Sequence, residues 1–169
     1  MSVLGITPAQ FTKGKYELHT GMYHDVKIQA YIDKYERIYL LKLLGSELYQ
    51  LFVNDLIAGV PQTQIYLSLF EEFDYDNSCK LVISDGMIEM IKGFVYFNYL
   101  KDETNQVHVT GVVRQKGENS TEVSNITSMI YTRYNESVRT FKAIQTFICD
   151  NLTDYPKFNG KRMYTANWI

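Results

Sequence analysis

Residues 26–45 read VKIQAYIDKYERIYLLKLLG, and Ser46 follows directly. Ile28, Tyr31, Ile32, Tyr35, Ile38, Tyr39 and Leu43 recur at intervals of three and four, the spacing of one face of an α-helix. Lys27, Asp33, Lys34, Glu36 and Arg37 fall mostly on the other side, and Asp33 with Arg37 makes a favourable i,i+4 pair. Asp25 is a good N-cap and Gly45 a good stop. Ser46 suits the N-cap of a second helix over ELYQLFVNDLIAG, residues 47–59. A helix stop followed at once by a helix start means a tight corner, so the chain reads as a helical bundle from this stretch outward.

Downstream, Pro61 opens a third, short helical piece, PQTQIYLSLFEEF, and EEFDYDNS at 71–78 reads as an acidic loop. Ser84 or Asp85 caps the next helix, GMIEMIKGFVYFNYLKD at 86–102. Met87, Ile91, Phe94, Val95 and Tyr99 follow helical spacing, while Ile88, Tyr96, Phe97 and Leu100 widen the apolar arc. A helix apolar over most of its circumference is expected at the centre of a bundle. Its internal Gly93 gives up about 1 kcal/mol relative to Ala, which predicts close packing against another helix there.

Residues 102–124 change character. VHVTGVV is β-like and QKGENS turn-like, so this excursion is either a hairpin or an extended loop. Asn125 or Ser124 then caps the longest helix, 125–151, whose stripe is Ile130, Tyr134, Val138, Phe141, Ile144 and Ile148. The ends carry no period. Residues 1–24 are irregular, with KYELHTG at 15–21 a candidate short strand, and the aromatic stretch 152–169 is broken by Pro156 and Gly160. The expected fold is therefore mainly α: a small bundle of about four helices with a β-like excursion and extended N- and C-terminal arms. Its divisions are an arm at 1–24, a helical domain at 25–151 and an aromatic arm at 152–169.

Composition narrows the function. A chain of 169 residues with 46% apolar and 21% charged residues can bury one sizeable core and is not disordered. Its net charge of −2 is not that of a protein that coats DNA. Cys79 and Cys149 have no CxxC spacing and read as reduced thiols. No basic start with a long apolar run marks a secretory signal, and no stretch is apolar enough to span a membrane.

Known chemistries fail for stated reasons. His19, His24 and Asp25 cluster in sequence without a HExxH or paired Cys, so no metal is expected. The segment from Asp74 to Asp85 lacks the Gly and the final Glu of a calcium loop. No phosphate-binding glycine motif and no GxSxG occurs, and Glu71/Glu72 sit in a polar stretch. Catalytic, cofactor and metal residues are expected to be none, and an enzyme is not the reading.

Fourteen tyrosines are the unusual count. Tyr buries a ring while keeping a polar tip, and it serves contact surfaces as well as cores. Tyr31, Tyr35, Tyr39, Tyr99 and Tyr134 sit on helical stripes and are expected in the core. Tyr16, Tyr23, Tyr155 and Tyr164 lie in stretches without a period and are expected to be exposed in a single subunit. Lys157, Lys161 and Arg162, interleaved with aromatics, suit nucleic acid or an acidic protein surface such as EEFDYD of a neighbouring copy, the latter favoured by the negative total charge. The candidate interface residues are Tyr16, Tyr23, Arg114, Lys116, Tyr155, Phe158, Arg162, Tyr164 and Trp168. Removing Tyr155 to Ile169 is expected to leave the helical domain folded and to impair assembly.

The phrases YIDKYERIYLLKLLGSELYQLF, MIKGFVYFNYLKD and YNESVRTFKAIQTFI, in this order, resemble head–tail connector proteins of tailed bacteriophages. Within that family the wording is most similar to members from phages of Bacteroidetes hosts, including crAss-like phages, over residues 26–151. The resemblance implies a structural virion protein, made in the host cytoplasm, that forms an adaptor ring beneath the portal. Copies would assemble as a homo-oligomeric ring, commonly of about twelve. Its implied partners are the portal protein, the next tail or ring protein, and genomic DNA passing through the channel without sequence-specific binding. A soluble helical binding or assembly module, not retained in the virion, is the alternative.

Overall fold

The computed structural model describes residues 2–19, 21, 23–76, 81–104, 106–108, 111–113 and 125–166. The chain is mainly α. Among the described residues, five α-helices, α1 (Asp25–Leu44), α2 (Ser46–Asn54), α3 (Gln64–Phe70), α4 (Met87–Thr104) and α5 (Asn125–Asp150), carry the core. Three antiparallel strand pairs join them: β1 (Leu56–Ile57) with β2 (Val60–Pro61), β3 (Phe73–Asp76) with β4 (Leu81–Ser84), and β5 (Gln106–His108) with β6 (Gly111–Val113).

The periodic stripes do what their spacing implies. On α1, Ile28, Ile32, Tyr39, Leu40 and Leu43 are buried, and on α5 so are Ile130, Val138, Phe141, Ile144 and Ile148. Buried residues surround α4, from Met87, Met90 and Ile91 to Phe94, Val95, Tyr96 and Tyr99. This helix lies between its neighbours, packing most extensively on α5 and next on α1. Gly93 makes the α4–α5 approach possible: a Cβ there would overlap Ser137 Oγ and lie 3.1 Å from the Tyr16 hydroxyl. The tyrosines of the stripes form a connected aromatic row. Tyr39 and Tyr99 are buried, while Tyr31, Tyr35 and Tyr134 are half-buried against the core. Tyr39 stacks on Phe94 with centroids 3.9 Å apart, and Tyr31 meets Tyr99 edge-on at 5.3 Å.

Several local expectations are corrected. Asp25 is the first residue of α1 and His24 its N-cap, and Ser46 lies inside α2, with Gly45 (φ 82°) as the cap between the helices. The second helix ends at Asn54 rather than 59, because Ala58 (φ 51°) and Gly59 (φ 85°) form a left-handed two-residue turn between β1 and β2. Pro61 belongs to β2. The third helix starts only at Gln64, after the Asp55 carboxylate has accepted the Gln62 and Thr63 amides, both at 2.8 Å. The acidic loop is half of a hairpin. Phe73 pairs with Ser84, and the alternation in FDYD and LVIS puts Phe73, Tyr75, Val82 and Ser84 inward and the other four residues outward. Within the excursion, β5 and β6 pair antiparallel, with Val107 opposite Val112.

The ends fold back onto the bundle. In 2–19 there are two 3-10 turns, at Pro8–Phe11 and Gly14–Tyr16, the second lying where a strand was expected. Leu4, Ile6, Phe11, Tyr16 and Leu18 are buried with the helices. Glu36, expected on the polar side of α1, is 2% exposed and binds this segment. It accepts from Ser2 Oγ at 2.9 Å, Val3 N at 3.0 Å and Leu4 N at 2.8 Å. A carboxylate can be buried when such donors replace its water. The 152–166 segment closes the other end of α1. The last four carbonyls of a helix lack internal partners. Here Leu41 O accepts from Gly45 N, Lys42 O from Lys161 N (2.6 Å), Leu43 O from Gln145 Nε2 (3.1 Å) and Leu44 O from Asn159 N (3.2 Å).

Candidate functional site

Tyr16, expected at the surface, is 2% exposed. Its hydroxyl donates to Glu89 O at 3.2 Å, and the Lys15 and Lys92 ammonium groups each lie 5.5 Å from its ring. Burial, with the carboxylates of Glu89 and Glu136 nearby, pushes its pKa up. Tyr155 is also 2% exposed, donating to Ile65 O at 2.7 Å, and burial raises its pKa to about 12. Both are core residues, contrary to the exposure their aperiodic surroundings suggested, because the segments that carry them lie against α4 and α3. Tyr23 and Phe158 are half-buried. Arg162 is exposed, and Tyr164 keeps 75% of its surface. Arg114, Lys116 and Trp168 lie outside the described residues.

Among the described residues, two surface features stand out beside the core. The first is the outer face of β3–β4. Leu81 and Ile83 point outward at 57% and 55% exposure, and their cross-strand partners are Asp76 and Asp74. Glu71 and Glu72, just before the hairpin, are exposed as well, so four carboxylates stand within six residues. An open cleft of about 280 Å³ beside them is lined by Glu71, Glu72, Asp74, Tyr75 and Phe147. Its carboxylates suit such a cleft to receive a cationic side chain. Among the described residues, no group of three or more His, Cys, Asp and Glu is placed to hold a metal ion.

The second feature is the strip 161–166. Its backbone is held at both ends, by Lys161 N on Lys42 O and by the paired bonds of Asn135 with Ala166, both 2.9 Å. Within it Met163 is buried while Lys161, Arg162 and Tyr164 are exposed. The chain thereby presents two cations and an aromatic ring from a fixed backbone. A smaller apolar patch is formed by Ile57 and Val60, cross-strand partners at the β1–β2 turn, exposed by 65% and 44%.

No family model, no curated protein and no solved structure matches this chain. No helix among the described residues is long and apolar enough to cross a membrane. Arg162 and Tyr164, singled out from the sequence, are exposed, whereas Leu81, Ile83 and Glu36 carried no such expectation. The period-2 alternation of FDYD was the available signal for the hairpin. Glu36 had no sequence signal, since its partners lie more than thirty residues away.

Proposed function

We propose that this chain is a structural subunit of a head–tail connector ring in a tailed bacteriophage. In this reading it lies between the portal and the tail, extends the DNA channel and offers a docking surface to the next tail component. The observation that carries the reading is the apolar surface of its hairpins, with Ile57, Leu81 and Ile83 all more than half exposed. Apolar side chains projecting outward from paired strands suit a subunit with several neighbours. The order of elements that underlies the resemblance supports the same assignment: a helix ending in a Gly corner, a short helix, a central apolar helix, a hairpin excursion and a long helix. A net charge of −2 suits a channel through which DNA passes without sticking.

The packing of segments 2–19 and 152–166 onto the helices favours a second reading, a helical assembly module that leaves the finished particle. Mass spectrometry of purified virions separates the two: many copies per particle are expected for the connector, and absence of the chain would sink it. Electron microscopy of the protein, free and bound to its portal, is expected to reveal rings.

A further inference from the structure

We propose that Lys161, Arg162 and Tyr164 of one subunit seat on the outer β3–β4 face of a second copy of this chain, formed by Asp74, Asp76, Leu81 and Ile83. The inference rests on the ring reading and names the lateral contact that would build it. Charge complementarity selects the occupant. The hairpin face combines two outward apolar side chains with two outward carboxylates. The strip offers the counterpart, two exposed cations and an exposed aromatic ring. Tyr164 can cover Leu81 and Ile83 while its neighbours reach the carboxylates. The strip is already fixed by Lys42 O and Asn135, so little backbone entropy is lost when it docks.

The two features also lie on opposite sides of α5, as a head-to-tail contact requires. Thr140 donates to Asp85, the residue after β4, at 3.4 Å, and Phe147 packs on Phe73 and Tyr75 with centroids 5.1 and 5.4 Å away. On a helix turning about 100° per residue, Phe147 lies about 20° from Thr140, whereas Asn135 and Gln145 each lie about 140° from it. Those last two hold the strip, through Ala166 and Lys161 O. A subunit with complementary patches on opposite sides forms a heterologous contact, which repeats from copy to copy and closes into a ring when the rotation allows.

Carbodiimide cross-linking of a mixture of isotopically light and heavy full-length protein, followed by peptide mass spectrometry, tests the contact directly. Mixed-isotope links from Lys161 to Asp74 or Asp76 are expected. In parallel, native mass spectrometry compares the wild type with K161E/R162E, D74K/D76K and the combined variant. All four side chains are exposed, so each variant is expected to keep its helicity. Each double variant should weaken self-association by about tenfold or more, because like charges then face each other, and the combination should restore it. Rings that persist in the double variants, with links elsewhere, overturn this contact and leave the connector reading standing. A chain that forms no oligomer, either free or on portal-bearing particles, overturns both.

Discussion

Gly93 on α4 and Ser137 on α5 touch so closely that the glycine has no room for a side chain. A Cβ would overlap Ser137 Oγ and come within 3.3 Å of Ser137 Cβ. Ser137 is itself buried and donates to Arg133 O at 3.2 Å. In Gly93→Ala, about 1 kcal/mol of helix propensity is gained and about 1–3 kcal/mol is lost to overpacking. A net loss of about 1 kcal/mol is expected, and a larger loss for Gly93→Val. Ser137→Ala removes the opposing oxygen, so the double variant G93A/S137A should recover most of the loss. A urea-denaturation double-mutant cycle with no coupling would refute the contact.

Glu36 is the anchor of the N-terminal segment. Burial pushes its carboxyl pKa up, and the bonds from Leu4, Ser2 and Val3 pull it back. Replacing it by Gln turns one acceptor into a donor that faces a backbone amide, at an expected cost of about 1–3 kcal/mol. Glu36→Ala leaves all three donors unpaired and should cost more. Amide exchange at Val3 and Leu4 is the specific readout. If those amides stay protected in Glu36→Ala, the anchoring role is wrong.

Truncation before Tyr155 is now expected to destabilise the bundle, not merely to block assembly. It removes the buried Tyr155 and Met163 and uncovers the Lys42 and Leu44 carbonyls. Each buried side chain is worth about 1.5–3 kcal/mol and each bond about 1 kcal/mol. Truncation after Gly160 keeps Tyr155 and the Asn159 bond and should be milder. Thermal unfolding followed by circular dichroism ranks the three chains. Equal midpoints would restore the view of 152–169 as a detachable arm.

Alkaline pH should unfold the protein through its buried phenols. Burial favours the neutral form and raises Tyr99 and Tyr155 from 10.0 to about 12. Tyr16 and Tyr31 are pushed up as well, Tyr31 by burial and then by its 2.6 Å bond to Asp102. The folded state thus holds these protons more tightly than the unfolded chain. Their contribution is complete below pH 10.0 and is lost as pH rises toward about 12. Tyrosinate absorbance should develop partly in step with loss of helicity. Ionisation of all fourteen tyrosines with the helices intact would contradict this.

The helices were legible because their signal is local. A stripe such as Ile130, Val138, Phe141, Ile144 and Ile148 repeats every turn, and an amphipathic helix buries that stripe whatever its neighbour. Gly93 was legible for a related reason: a costly residue within a strong helix needs a packing explanation. The β3–β4 hairpin was not. Its strands are four residues each, and the acidic FDYD reads as solvated until LVIS is placed opposite it. Of the interface residues expected from sequence, Arg162 and Tyr164 are exposed, whereas Tyr16 and Tyr155 are core.

Local spacing and composition were therefore sufficient for the mainly helical class, the central position of α4 and a site of close helix approach at Gly93. They could not reveal what the aperiodic ends do. Glu36 meets Leu4 across 32 residues, and Leu44 meets Asn159 across more than a hundred. Such bonds depend on where the packed helices leave polar groups without water, and no spacing within a segment encodes that. A segment without a period looks like a free arm in sequence. Here it is fixed in place because a buried carboxylate and the open carbonyls of a helix end require partners, and these ends supply them.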